Sequence, residues 1–288
     1  MPDSLRPRIS PLWPDGSPLN GRNPQDRPRL EIYAPIRPAT PVGSATAAAQ
    51  TPAPAPAPAV IVCPGGGYAH LAPHEAAPVA WMFARRGIAA MVCHYRVAPN
   101  RYPAPYADVA RAVRLVRHLA PELRIDPARI ALMGFSAGGH AAVTVATRPD
   151  VYREPADDLA ATVSARPDRT ILAYPVVSMQ EEPHLGCLEN LLGPDADLEL
   201  RAALSAERWV TASTPPAFLF HTADDPAVPA GHSLRYAAAC QANGVPVEMH
   251  LYAHGHHGVG LAQDFPALAT WPHLLLTWLA NWPAANGD

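Results

Sequence analysis

The 288-residue chain predicts an α/β fold with a mainly parallel central sheet flanked by helices. Two observations carry this. From residue 59 onward, short apolar runs of strand length alternate with amphipathic stretches of helical period. About half of the residues (49%) are apolar, enough for a sizeable core when arranged with that periodicity.

Taken in order, "RLEIYA" (29–34) precedes the alanine- and proline-rich "ATAAAQTPAPAPAPA" (45–59). Alternating Ala-Pro favours an extended segment with no packed face of its own. Only about forty residues lie before it, too few for a second core, so one domain over 1–288 is expected, with a surface loop at about 35–59. "AVIVC" (59–63) and "IAAMVCHY" (88–95) read as buried strands, and "YADVARAVRLVRHLA" (106–120) as a helix. "RIALMGF" (129–135) is a strand and "AGGHAAVTVAT" (137–147) the helix after it. "TILAYPVV" (170–177) and "AFLFHT" (217–222) are further strands, "GHSLRYAAACQANG" (231–244) a helix with a glycine stop, and "VPVEMHLY" (245–252) the last strand. "FPALATWPHLLLTWLANW" (265–282) closes the chain as a helix with a proline break. Residues 178–215 fit no alternation and read as a small cap or excursion.

The formal net charge of −3, with no basic block, argues against nucleic acid or an anionic membrane as partner. No apolar run reaches membrane-spanning length, and "MPDSLRPRIS" lacks the apolar stretch of a signal peptide. Cys63, Cys93, Cys187 and Cys240 show no C-x-x-C spacing and read as free, mostly buried thiols. A cytoplasmic protein is expected.

In a parallel sheet, reactive groups belong on loops at the carboxyl ends of strands. Four such loops are rich in glycine or polar residues. "MGFSAGGH" (133–140) contains G-x-S-x-G between a strand and a helix. That turn projects Ser136 from the sheet as a nucleophile, with the Ala137 N–H aimed at an adjacent anion. "PGGGY" (64–68) can bring N–H groups close to a ligand, and without a Walker lysine it does not read as a phosphate cradle. "HTADDPAVP" (221–229) offers Asp224 or Asp225 to orient an imidazole, or to start a turn. "YAHGHHGVGL" (252–261) offers His254, His256 and His257. No ligand spacing completes a metal site there, so one histidine as general base is expected, with no metal and no cofactor. Serine, then aspartate, then histidine is the chain order of α/β hydrolases.

These stretches, together with "HYRVAP", "YPAPYADVARAVRLVR" and "DPARIALMGFSAGGH", resemble the acetyl-esterase/lipase branch of the α/β-hydrolase superfamily, which includes bacterial carbohydrate acetyl esterases and feruloyl-esterase-like proteins. The resemblance covers most of 59–282 and implies the α/β-hydrolase fold. Laid over the branch's H-G-x-x-D-x-x-V-P pattern, it puts the acid at Asp225, with Thr222 in place of a glycine. Its G-G-H-G segment puts the base at His257, with His256 in place of a glycine. It implies that Gly66 and Gly67 join Ala137 in an oxyanion hole, with Pro64 replacing the usual histidine. The expected activity is hydrolysis of short acyl esters, and the resemblance implies acetylated carbohydrates or oligosaccharides as substrates. Tyr68, Phe135 and Val228 are candidate pocket residues. A peptidase of the prolyl-oligopeptidase type shares the triad order but would need an N-terminal propeller. A non-catalytic binder would be expected to lack a triad member.

Overall fold

The computed structural model describes residues 6–15, 27–36, 55–155 and 157–282. Residues 37–54, most of the expected Ala/Pro surface loop, lie outside them. In chain order the elements begin with strands β1 (Arg8–Pro11), β2 (Arg29–Tyr33) and β3 (Ala57–Cys63), then helix α1 (Ala77–Ala84) and strand β4 (Ala89–His94). Helix α2 (Ala104–His118), the short α3 (Ala120–Leu123), strand β5 (Ile125–Phe135) and helix α4 (Ser136–Thr147) follow. After β6 (Arg169–Ala173) come helices α5 (Leu185–Leu192) and α6 (Leu198–Ala203), strand β7 (Ala217–Thr222), helix α7 (Gly231–Ala242), strand β8 (Val247–Tyr252) and helix α8 (Trp271–Ala280).

The eight strands form one sheet in the order β1-β2-β4-β3-β5-β6-β7-β8. From β4 to β8 every pairing is parallel; β2 runs antiparallel to both β1 and β4. The parallel strands read as unbroken apolar runs because both faces are covered. Ile61, Cys63 and Leu132 face a core shared with α2, α4 and α7. Their neighbours Val60, Val62 and Met133 face a second core with Phe83 of α1 and Trp271, Leu275 and Leu279 of α8. All four cysteines are free and buried.

The structure revises three expectations and adds one helix. Strand β3 begins at Ala57, so the expected loop ends earlier than residue 59. Strand β6 stops at Ala173 instead of 177, because Tyr174 turns to φ +36° and Pro175 has no N–H to donate. Pro272 does not break the last helix: it lies in the first turn of α8, where no intrahelical N–H is required. Helix α1 escaped the sequence reading because it is apolar nearly all round and shows no helical period.

The excursion spans 178–215 between β6 and β7. His184 caps α5 by accepting the Cys187 N–H at 3.0 Å, and Asp197 caps α6 by accepting the Leu200 N–H at 2.6 Å. Arg201 Nε donates to the Met179 carbonyl, folding the excursion back on its own start. No helix among the described residues is long and apolar enough to cross a membrane.

Candidate active site

Strand β5 ends at Phe135, and the chain turns into α4 with Ser136 at φ +49°, a conformation that strains any residue with a side chain. The turn closes only because its flanks are glycines. A Cβ on Gly134 would lie 2.2 Å from the Gly138 carbonyl oxygen. One on Gly138 would lie 2.2 Å from the Cys63 oxygen and 2.4 Å from that of Pro64. The Val176 N–H donates to the Ser136 carbonyl at 3.1 Å, pinning the turn from β6's side.

Ser136 Oγ lies 2.7 Å from His257 Nε2, and His257 Nδ1 lies 2.7 Å from Asp225 Oδ2. With a carboxylate accepting at Nδ1, the ring donates there and its Nε2 accepts from the serine hydroxyl. Asp225 Oδ1 accepts the N–H groups of Ala227 and Val228, each at 2.9 Å. Burial raises the Asp225 pKa, but hydrogen bonds from His221, His257 and the Val228 N–H outweigh it and hold the carboxyl well below the usual carboxylate range. His221 was missed by sequence reasoning. Fully buried, it donates from Nε2 to the Val228 carbonyl and accepts from Ser233 at Nδ1, with Nε2 3.5 Å from Asp225 Oδ2.

Asp224, the competing aspartate, points elsewhere. It is exposed and accepts from His254 Nδ1 at 2.9 Å and from the Gly255 N–H at 2.8 Å. His256 Nδ1 donates to the His257 carbonyl, and its ring meets the Phe265 ring at 5.0 Å. The three histidines thus face three different partners. Among the described residues no group of three or more His, Cys, Asp or Glu could hold a metal ion.

The loop after β3 lies beside the serine. Gly66 and Gly67 adopt φ +121° and +62°. Among the described residues their N–H groups and that of Ala137, at the first turn of α4, have no protein acceptor. The Gly65 N–H, in contrast, is taken by Glu75 Oε2 at 2.7 Å. Asn190 of α5 donates to the Gly67 carbonyl at 3.0 Å, so the excursion also holds this loop.

The three candidate pocket residues require correction, because each side chain is fully buried. Phe135 packs between Tyr174 and Trp271 beneath the turn. Val228 holds Asp225 and His221 through its backbone. Tyr68 directs its hydroxyl to His140 Nδ1 at 2.9 Å, a nitrogen that Tyr106 also approaches at 3.1 Å, while His140 Nε2 donates to the Leu204 carbonyl at 2.8 Å. Burial lowers the His140 pKa to about 4.

The sheet order, and the delivery of Ser136, Asp225 and His257 from the tips of three parallel strands, are those of the α/β-hydrolase fold. Within that class the chain belongs to the BD-FAE family, whose model matches residues 48–239 and so takes in Ser136 and Asp225 but not His257. A solved structure, the acetyl ester-xyloside bifunctional hydrolase from Caldicellulosiruptor lactoaceticus, is 40% identical with a TM-score of 0.84, covering 97% of this chain and 98% of that one. The acetylxylan esterase of Xylanibacter ruminicola is 31% identical over 235 residues, 80% of this chain and 46% of that protein. Endo-1,4-beta-xylanase B of Butyrivibrio fibrisolvens is 33% identical over 209 residues, 71% of this chain and 33% of that protein. The chain therefore spans less than half the length of these two curated relatives.

Proposed function

We propose that the chain is a serine esterase that removes short acyl groups, acetyl above all, from carbohydrate esters through an acyl-enzyme. The observation that carries this is the relay Ser136–His257–Asp225, with both hydrogen bonds at 2.7 Å. The acetyl ester hydrolase and acetylxylan esterase relatives support the substrate class.

As Ser136 Oγ attacks the ester carbonyl carbon, its proton passes to His257 Nε2. Asp225 stabilises the imidazolium and keeps the ring oriented. The carbonyl π electrons move to oxygen, where the free N–H groups of Gly66 or Gly67 and Ala137 receive the charge, each donor contributing about 3 kcal/mol. Collapse of the tetrahedral intermediate breaks the bond to the alcohol, which leaves with the proton from His257. Water, deprotonated by the same nitrogen, then releases the acid and restores Ser136. No cofactor enters these steps. The reading includes a reducing, cytoplasmic setting, supported by the four unpaired buried thiols.

Turnover of p-nitrophenyl acetate, butyrate and octanoate by wild type and Ser136→Ala tests the reaction class. Acetate is expected to be the best substrate and Ser136→Ala to be inactive on all three; full activity in Ser136→Ala sinks the reading. Acetylated xylan against feruloyl esters then tests the substrate, with acetate release from xylan expected.

A further inference from the structure

We infer that Glu75 is a positioning residue, one buried carboxyl group that holds the oxyanion loop and the base loop in register with each other. The inference rests on the esterase reading of the site. Glu75 ends a single 3-10 turn, Pro73–Glu75, between the loop at 64–68 and α1, and is only 2% exposed. Its two oxygens are taken from opposite sides. Oε2 accepts the Gly65 N–H at 2.7 Å, and Oε1 accepts the Tyr174 hydroxyl at 2.7 Å.

On the first side the contact is close to the nucleophile. A Cβ built on Gly65 would lie 2.8 Å from Glu75 Oε2 and 2.9 Å from Ser136 Cβ, so Gly65 is pressed between the carboxyl group and the serine. By taking the Gly65 N–H, Glu75 fixes the peptide that leads into Gly66 and Gly67, whose N–H groups stay free. On the second side the link continues. The Tyr174 oxygen accepts the Gly260 N–H at 2.9 Å, and the Tyr174 ring meets the His257 ring at 5.0 Å in an edge-on contact. Burial and the adjacent Glu75 push the Tyr174 phenol up, keeping it a donor to Glu75. The neighbouring His74 reaches the same loop, its Nε2 lying 2.9 Å from the Gly258 carbonyl oxygen.

A glutamine at 75 has one acceptor oxygen for two donors. The backbone N–H of Gly65 can only donate, so the amide –NH2 would face Tyr174, whose oxygen can accept from it; the link is then reversed and weakened, because the phenol O–H loses its acceptor. Tyr174→Phe therefore cuts the connection that Glu75→Gln weakens, while Glu75→Ala cuts both sides.

The test is steady-state hydrolysis of p-nitrophenyl acetate, with kcat referred to sites titrated by a fluorophosphonate so that unfolded protein is not counted. Glu75→Gln is expected to lower kcat about threefold, Tyr174→Phe about tenfold and Glu75→Ala about a hundredfold, with KM within about threefold of wild type. The Glu75→Gln/Tyr174→Phe double variant is expected within about twofold of Tyr174→Phe alone, because the link can be cut only once. Wild-type kcat in Tyr174→Phe or in Glu75→Ala, with Ser136→Ala inactive, overturns this inference alone. So does a double variant whose losses multiply. Activity retained by Ser136→Ala overturns the esterase reading itself.

Discussion

Ser136 and His257 meet across one hydrogen bond, but their supports differ in kind. Around Ser136 the neighbours are backbone: the carbonyls of Cys63, Pro64 and Gly138 leave no room for a Cβ at 134 or 138. The first eleven residues of α4 are buried. Around His257 the tethers are side chains: Asp224 on Gly255, His74 at Gly258, and Tyr174 and Trp271 on Gly260. Much of that loop is exposed. A turn held by close backbone packing tolerates no substitution, whereas a loop held by separate tethers can lose one and keep the fold.

The largest expected effect lies where the two supports join. Asp225→Asn removes the acceptor that sets the His257 tautomer and is expected to lower kcat by roughly 10⁴-fold. Next, Gly138→Ala on the serine side should cost on the order of 3 kcal/mol in denaturant melts, losing activity with the fold. A variant that melts like wild type would break the contrast.

Acid sharpens the same comparison. His140 lies in α4 behind Ser136, and its pKa falls from 6.5 to about 4 in the folded protein through burial. The unfolded chain takes up a proton near pH 6.5 and the folded chain only near 4, so stability is lost as pH falls through that window. The contribution is about 3 kcal/mol at roughly 1.4 kcal/mol per pH unit. Melts of His140→Gln from pH 7 to 4 should show a flatter loss than wild type; an unchanged slope would remove His140 from the account. The smallest effect belongs to the exposed tether: Asp224→Asn should change kcat by less than about tenfold. A larger loss there would shift the acid by one residue.

The contrast also explains what could be read beforehand. Gly134, Ser136 and Gly138 are legible because backbone crowding leaves a fixed local spacing. The alternation of strands and helices was legible because the parallel strands are apolar runs buried on both faces; their order in the sheet was not. Choosing Asp225 over Asp224 took a family resemblance, since adjacent aspartates carry no local signal of which faces the base. Glu75 and Tyr174 lie 99 positions apart, and Tyr68 and His140 72. Only the folded sheet brings such partners together, and no spacing announces them. The pocket expectation for Tyr68, Phe135 and Val228 failed for a related reason. Nearness to the motif in sequence placed them under the site, where they support it from within the core.

The central claim, an acyl-enzyme on Ser136 formed through His257 and Asp225, is tested most directly by trapping. Wild-type protein mixed with p-nitrophenyl acetate, quenched in acid and mapped by peptide mass spectrometry should carry one acetyl group on the peptide containing Ser136. The Ser136→Ala protein should carry none there and release no nitrophenol above background. Undiminished turnover by Ser136→Ala, or acetyl found on another residue of an active protein, would contradict the account.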